Sequence, residues 1–384
     1  MISRRAATQM KNEVLEHSED LVRYIEKVGT SLDNINSLSD EDVEIATTPK
    51  TAVFKTDKVI LYKYEKLAGA KRRRRKPLLI AYSLIGSYRM LDLQPDRSVI
   101  RNLLLEGLDV YIIDWGSLNK SDRWLSFDDY IDSYLADCVD FITQEHDVAD
   151  LSLMGVCEGG VFTASYASLN PEKVSSLILA VTPIDFHADI TSNESLDKGY
   201  LNRLLRGFSR QQLENMVDAF GQLPGELYGL AFQEMTPVKS LTKYNFEILD
   251  SFSGSKEQVL NFLRMEKWLL ERPHHPCEAA KQWLIDLYNE NQLVKNEFRV
   301  NEQVVDLSNL TMPLLNIYAT HDHIVPPSTS EALSNYLPES AKYKSVELNA
   351  GHIGAFVSSK ANARVSSEIT QWVRTLGSKS ALAA

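Results

Sequence analysis

Short apolar runs alternate with amphipathic segments along much of the chain. The runs are bounded by polar or turn residues and predict strands, at Pro77–Tyr82, Asp109–Trp115, Asp150–Met154, Ser176–Val181 and Leu314–Ala319, and a last strand is predicted around Tyr343–Leu348. Apolar residues at helical spacing predict helices between or after these runs, at Ser98–Leu105, Phe127–Glu145, Gly160–Ala167 and Ala361–Leu376. Strands and helices that alternate in this way indicate βαβ units. The pattern therefore predicts an α/β fold with a mostly parallel, doubly wound sheet.

The alternation stops over residues 185–304, where the pattern is mostly helical. Insertions of this size commonly cover active sites, so we predict a helical cap. The predicted domains are residues 1–50 with an amphipathic helix at Lys11–Val28 and a linker, a first core part at 51–184, the cap at 185–304 and a second core part at 305–384. A strand pair ahead of the core is predicted around Ala52–Phe54 and Val59–Tyr64.

Composition and charge exclude several classes of protein. Of the 384 residues, 44% are apolar and 24% are charged, which indicates a globular chain rather than a disordered one. The net charge of -11 argues against general nucleic-acid binding. The basic run Lys71–Lys76 is then expected to be a solvated loop, with a contact to phosphates, an acidic partner or an anionic surface as the alternative.

The sequence also indicates a cellular compartment. No apolar run is long enough for a transmembrane segment, and none follows the N-terminal arginines as an export signal would require. Three cysteines without a CxxC pair fit a reducing environment. We therefore expect a cytoplasmic protein.

The sequence Gly155-Val156-Cys157-Glu158-Gly159-Gly160 lies between a predicted strand and a predicted helix. This is the nucleophile-elbow pattern of the α/β-hydrolase fold, with cysteine in place of serine. The nucleophile occupies a tight, strained turn, and glycines on either side avoid collisions with neighbouring backbone. The N-terminus of the following helix helps to stabilise a thiolate. We predict that Cys157 is a nucleophile and that Cys138 and Cys277, which lack this setting, are buried packing residues.

An elbow nucleophile of this fold needs an acid and then a histidine later in the chain. Asp322 follows the predicted strand Leu314–Ala319, and His352 follows the last predicted strand. Both lie on loops after strands, where the carboxyl ends of a parallel sheet gather functional groups. We therefore predict a catalytic triad of Cys157, Asp322 and His352.

Four other histidines have weaker chemical settings. His321 and His323 flank Asp322 and leave a metal site as an alternative, although nothing else at ligand spacing accompanies them. His274 and His275 lie in a proline-flanked turn of the cap and are expected at the surface. The sequence therefore predicts no metal and no cofactor.

A cysteine nucleophile also indicates a class of substrate. A thiolate is a strong nucleophile and a good leaving group. Because an acyl-cysteine is itself a thioester, acyl exchange with a thioester donor is close to thermoneutral, and the acyl group can then pass to an alcohol. This chemistry favours acyl transfer from a thioester over simple ester hydrolysis.

Several motifs, in the same order along the chain, resemble the catalytic subunit of class III polyhydroxyalkanoate synthases, from about Lys50 to Trp372. Besides the elbow, they are Asp96–Ser98, Tyr111–Gly116, Val181–Phe186, Leu223–Leu227, Asn261–Trp268, Asp322–Pro327 and Gly351–Gly354. The resemblance implies an acyltransferase of the α/β-hydrolase fold. Such an enzyme polymerises a short 3-hydroxyacyl-CoA, such as 3-hydroxybutyryl-CoA, into polyester and releases CoA.

The resemblance also implies roles for individual residues. Cys157 would carry the growing chain, and His352 would deprotonate it. Asp322 would either orient His352 or activate the 3-hydroxyl of the incoming monomer. The backbone N–H groups of Glu158 and Ile85 would form the oxyanion hole.

The partners implied by the resemblance are a second copy of the chain, a second synthase subunit of the class III type, and the surface of polymer granules in the cytoplasm. The related class IV type of second subunit is the alternative. The CoA thioester would be the substrate, with no cofactor.

Two features depart from the family pattern. Glu158 stands where the class usually has glutamine or an apolar residue, and its negative charge would disfavour a neighbouring thiolate unless it points to solvent or pairs. The loop Leu84–Arg89 lacks the Asn-Arg-Pro-Tyr sequence of close relatives. Two other functions remain: a cysteine-dependent hydrolase or thioesterase, in which water resolves the acyl-cysteine, and a non-catalytic granule or scaffold protein.

Overall fold

The structure is a computed structural model that describes residues 22–71, 76–190, 199–234 and 251–380. In chain order the strands are β1 (Lys50–Thr56), β2 (Val59–Tyr64), β3 (Leu78–Ala81), β4 (Asp92–Gln94), β5 (Arg97–Ser98), β6 (Val110–Asp114), β7 (Leu151–Val156), β8 (Val174–Ala180), β9 (Gln222–Leu223), β10 (His275–Pro276), β11 (Arg299–Val300), β12 (Gln303–Val304), β13 (Leu314–Ala319) and β14 (Tyr343–Leu348).

Eight of these strands form one sheet in the order β1-β2-β6-β3-β7-β8-β13-β14. Strand β2 pairs antiparallel with both β1 and β6. The other neighbours, from β6 to β14, are parallel. The predicted core strands and the predicted strand pair are confirmed, with ends that differ by at most two residues. The buried strands carry apolar side chains on both faces, which is why short apolar runs predicted them well.

The described helices are α1 (residues 22–36), α2 (Val99–Leu105), α3 (Ala136–His146), α4 (Glu158–Leu169), α5 (Tyr200–Arg206), α6 (Arg210–Phe220), α7 (Gly225–Glu234), α8 (Lys256–Leu270), α9 (Cys277–Lys281), α10 (Pro327–Glu331), α11 (Gly354–Val357) and α12 (Ser359–Ser380). A π-helical stretch, Asp129–Leu135, leads into α3, and together they occupy most of the predicted helix Phe127–Glu145. Within the described residues, no helix combines the length and apolar character that a membrane crossing requires.

The chain divides into two compact units. The described part of the smaller unit consists of residues 22–45 and 251–270. In this unit the amide of Asn34 donates to the carbonyls of Phe252 and Gly254, and Arg264 donates to the carbonyl of Asp42. Part of the predicted helix Lys11–Val28 lies outside the described residues, and α1 continues it to residue 36.

The larger unit, whose described part is residues 46–71, 76–190, 199–234 and 271–380, contains the sheet. An aromatic cluster packs against α4 in this unit. The Phe162 ring of α4 has its centroid 4.7 Å from Phe127 and 5.9 Å from Trp115, both edge to face, and it stacks on Tyr130. Aromatic pairs in these orientations add to the stabilisation from burial. The cluster fixes α4, and with it the turn at its N-terminus, against the sheet.

Candidate active site

Cys157 occupies the turn between β7 and α4, as the elbow pattern predicts. Its backbone has φ 54° and ψ -123°, a conformation that costs an L-residue free energy. Two backbone hydrogen bonds hold it: its N–H donates to the carbonyl of Ala180 at 3.0 Å, and its carbonyl accepts from Gly160 at 2.9 Å. The strained turn places the Cys157 side chain at the N-terminus of α4.

The glycines of the elbow are required by space. A Cβ on Gly155 would lie 2.1 Å from Oγ1 of Thr163, and a Cβ on Gly159 would lie 2.4 Å from the carbonyl oxygen of Ala81. A Cβ on Gly160 would lie 1.9 Å from Oγ1 of Thr182. Side chains at these positions would push α4 away from β3, from β7 and from the residues after β8, so the steric reasoning from the sequence holds.

Asp322 and His352 lie on the loops after β13 and β14, and the structure brings them together. Nδ1 of His352 lies 2.7 Å from Oδ2 of Asp322. The other carboxylate oxygen, Oδ1, accepts from the backbone N–H groups of Ile324 and Val325, at 2.9 and 2.8 Å. Asp322 is fully buried. Since both oxygens are engaged, the carboxylate is held in one orientation toward the imidazole.

The electrostatic setting of His352 favours its charged form. Burial lowers the pKa of the imidazole, but the charges of Asp322 and Cys157, and hydrogen bonds to both, outweigh burial and raise the pKa from 6.5 to about 10. His352 thus contacts Cys157 on one side and Asp322 on the other. All three predicted triad residues therefore meet, and their catalytic roles stay predictions.

The two predicted oxyanion donors lie on either side of the nucleophile in the chain. Glu158 begins α4, where the first N–H groups of a helix have no acceptor within the helix. Ile85 lies on the loop after β3, and its N–H donates to Oγ of Ser83 at 3.0 Å. Whether these groups bind an oxyanion stays a prediction.

The side chain of Glu158 is fully buried and paired. Its Oε2 accepts from Oγ of Ser83 at 3.0 Å and from the N–H of Leu84 at 2.8 Å. Its Oε1 lies 3.1 Å from Nε2 of His275, which is also fully buried. The expectation that His275 lies at the surface is therefore wrong. The second half of the proline-flanked turn forms β10, which pairs with β9, and the imidazole of His275 is buried there.

Two tyrosines near the nucleophile were not identified from the sequence. Burial first, and then the charge of Cys157, raise the pKa of Tyr82. Burial, and then the charges of Cys157, Asp322 and Glu158, raise the pKa of Tyr288 well above its usual range. Tyr82 follows β3, so the rule that functional groups gather after parallel strands could have found it. Tyr288 lies in the π-helical segment Gln282–Asn289, and no motif marks it.

The remaining candidates take no part in this cluster. Cys138 and Cys277 are buried, as predicted. In the described parts of the chain, the side chains close enough to share a metal ion are Asp218, Cys277 and Glu278. Lys281 forms ion pairs with both carboxylates, at 2.8 and 3.0 Å, and accounts for this grouping. Most of the basic run Lys71–Lys76 lies outside the described residues.

Known proteins with similar sequences indicate the family to which this site belongs. The family model of the alpha/beta hydrolase fold matches residues 76–359, which confirms the predicted fold class. The chain is 39% identical over 358 residues to the poly(3-hydroxyalkanoate) polymerase subunit PhaC of Synechocystis sp., with 93% of each chain covered. It is 37% identical to the PhaC subunit of Allochromatium vinosum, covering 93% of this chain and 96% of that one. The PhaC subunit of Thiocystis violacea is 36% identical over the same shares.

Proposed function

Since this chain belongs to the family of poly(3-hydroxyalkanoate) polymerase subunits named PhaC, we propose that it polymerises short-chain 3-hydroxyacyl-CoA through a covalent acyl-cysteine. The observation that carries the proposal is the contact chain from Cys157 through His352 to Asp322. A thiol beside an imidazole that holds a proton strongly is the arrangement of an activated thiolate nucleophile. The coenzyme A thioester brings an activated acyl group, so the reaction needs no cofactor.

In the first step Sγ of Cys157 attacks the carbonyl carbon of the thioester. The bond from that carbon to the sulfur of CoA breaks, and the CoA sulfur leaves with the proton that His352 took from Cys157. The oxyanion that forms in between is stabilised by the N–H group of Glu158 and by that of Ile85, which shares its proton between the oxyanion and Oγ of Ser83. The products of this step are the acyl-cysteine and free CoA.

In the second step an ester bond forms. The 3-hydroxyl oxygen of another 3-hydroxyacyl-CoA attacks the acyl-cysteine carbonyl, and the carbon–sulfur bond to Cys157 breaks. His352 accepts the hydroxyl proton and returns it to Cys157. The lengthened chain, still a CoA thioester, then acylates Cys157 again and releases CoA, so one CoA leaves for each monomer added.

We assign Asp322 the orientation of His352 rather than the activation of the 3-hydroxyl. A general base needs an oxygen that can reach the substrate hydroxyl. Oδ2 of Asp322 is occupied by His352, and Oδ1 accepts from two backbone N–H groups. This arrangement supports orientation, as in serine-type triads.

We further propose that the protein works as a homodimer with a second subunit of the class III type, in the cytoplasm at the surface of polymer granules. Exposed apolar side chains on and beside α5 and α6 support a protein contact there; they are Tyr200, Leu204, Phe208, Met216 and Phe220. Light scattering of the purified chain tests the dimer, and granule fractionation from producing cells tests the location.

The decisive assay follows CoA release and turbidity with 3-hydroxybutyryl-CoA, with and without the second subunit. Cys157→Ala should abolish CoA release, whereas Cys138→Ala, the same change at a buried packing cysteine, should leave it intact. Insoluble polymer supports the proposal. Free 3-hydroxybutyrate as the only product would instead show a thioesterase, and release that survives Cys157→Ala would refute the acyl-cysteine. A parallel assay with 3-hydroxyoctanoyl-CoA tests the chain-length preference.

A further inference from the structure

A series of contacting, buried polar side chains runs from the oxyanion loop, defined as Ser83–Ile85, to helix α7. Its first link is Glu158, which accepts from Ser83 and Leu84 of the loop. Its second link is His275 of β10, with Nε2 at 3.1 Å from Oε1 of Glu158. The third is Tyr228 of α7, whose hydroxyl lies 2.7 Å from Nδ1 of His275. These side chains are all buried and lie in the larger unit.

Glu158 connects these buried polar side chains to both predicted oxyanion donors. The backbone N–H of Glu158 is one predicted oxyanion donor, and Ile85 of the loop provides the other. The carboxylate of Glu158 binds the loop through Ser83 and Leu84, and Ser83 in turn accepts from Ile85. One side chain therefore ties the loop that carries one donor to the residue that carries the other.

His275 supplies what a buried carboxylate needs. Burying a charge is costly unless it is paired. When Tyr228 donates its hydroxyl proton to Nδ1, the imidazole carries its own proton on Nε2, facing Glu158. The contact from Nε2 to Oε1 is within ion-pair distance but outside hydrogen-bond geometry, and neither atom has another hydrogen-bond partner among the described residues.

We propose that Glu158 and His275 are positioning residues, which hold the oxyanion loop at a fixed distance from the nucleophile elbow. The inference rests on the proposed acyl-cysteine chemistry, because only an oxyanion needs both donors at once. Neither side chain touches the reacting atoms. They act through the backbone of the loop and of Glu158, so they should affect the rate of acyl transfer and leave the nucleophile itself intact.

The test compares leucine and glutamine at both positions. Glu158→Gln and Glu158→Leu remove the same charge, but only glutamine can still accept from Leu84 and Ser83. We expect Glu158→Leu to lower kcat for CoA release by about a hundredfold with little change in KM, as misplacement by about 1 Å does. Glu158→Gln should recover at least about tenfold of that loss. For His275 we likewise expect a lower kcat with His275→Leu than with His275→Gln. Both variants leave the hydrogen bonds between the loop and Glu158 in place.

A second readout separates positioning from general damage. Alkylation of Cys157 by iodoacetamide needs the thiolate and His352 but no oxyanion hole, and mass spectrometry identifies the alkylated cysteine. We expect equal alkylation rates for Glu158→Leu and Glu158→Gln, within about threefold. The matched control is Asp189→Leu, which removes a buried carboxylate paired with Arg206 at 2.8 Å and should leave kcat unchanged.

The outcomes are distinct. The inference is wrong if both leucine variants keep wild-type kcat, or if alkylation falls in parallel with kcat. A double variant Glu158→Leu, His275→Leu should be no slower than Glu158→Leu alone, because the connection through Glu158 is already lost. If the two losses in kcat multiply instead, the two residues act independently and the inference is wrong. Failure of the proposed function has another sign, since wild-type protein would then release no CoA in a manner that depends on Cys157.

Discussion

Replacing Asp322 by asparagine tests the electrostatic core of the site with almost no change of shape. In the native site Oδ1 accepts from the N–H groups of Ile324 and Val325. These two donors should also fix the amide oxygen of the variant, so its NH₂ group must face Nδ1 of His352. Nδ1 then becomes an acceptor, and the ring proton moves to Nε2. The imidazole could no longer take a proton from Cys157.

The magnitude follows from the pKa of His352. A rise from 6.5 to about 10 corresponds to ~5 kcal/mol in favour of the protonated ring. Two unit charges at the 2.7 Å separation of His352 and Asp322 give ~6 kcal/mol at an effective dielectric constant of about 20. The two figures agree in scale, and the Asp322 charge is the largest of the causes that raise the pKa. In Asp322→Asn we expect the pKa of His352 to fall from about 10 toward 6.5, because only the charge of Cys157 and the hydrogen bond to it then oppose burial.

Two measurements check this expectation. Histidine ¹³C–¹H NMR titration, with His352→Gln to assign the signal, should show the wild-type ring protonated until about pH 10 and the variant ring neutral at pH 8. The rate of CoA release should fall on the order of 10³-fold or more. Because the folded pKa lies above the ordinary one, its stabilisation is complete below pH 6.5 and is lost as the pH rises through about 10. The fall in unfolding free energy between about pH 6.5 and about pH 10 should therefore be much smaller in Asp322→Asn. A variant that titrates near pH 10, or that keeps wild-type activity, would refute the reasoning.

Three further changes test the elbow and its surroundings. Cys157→Ser should lower kcat by at least about a hundredfold, because a serine hydroxyl is a weaker nucleophile and leaving group; comparable turnover in steady-state CoA release would contradict this. Gly159→Ala places a Cβ 2.4 Å from the carbonyl oxygen of Ala81 and should cost about 1–3 kcal/mol in urea unfolding, with loss of activity; an active variant of native stability would show that α4 can shift freely. Trp372→Phe removes the buried hydrogen bond from Nε1 to Ser176 and should cost about 1–3 kcal/mol while kcat stays unchanged; a changed kcat would reveal coupling from α12 to the site.

The parts of the fold that the sequence predicted well share a physical cause. Strands buried on both faces must be apolar throughout, so β13 was predicted with its observed ends. The edge strand β14 is partly exposed, and its observed ends also match the prediction. The elbow was recognisable because its glycines form a short pattern around Cys157, although Gly159 and Gly160 are required by contacts with Ala81 and Thr182, which are distant in sequence. Asp322 and His352 were found by chain order after strands. These signals depend on neighbouring residues or on the order of strands along the chain, so a single sequence is enough to reveal them.

The buried surroundings of the site could not be predicted in the same way. His275 was expected at the surface because its proline-flanked turn resembles an exposed loop. Its burial depends on the pairing of β10 with β9, a ladder of two residues per strand between segments about 50 residues apart. Pairing of Glu158 with Ser83 joins positions 75 residues apart. Such contacts follow from three-dimensional packing and leave no periodic pattern in the chain.

The position of β13 and β14, side by side at one end of the sheet, also orders events during synthesis. Cys157 and most of the sheet leave the ribosome before either of these strands. On the proposed mechanism, a nascent chain therefore contains Cys157 before the imidazole and the carboxylate that activate it, and priming of a polymer waits until the last two strands have docked.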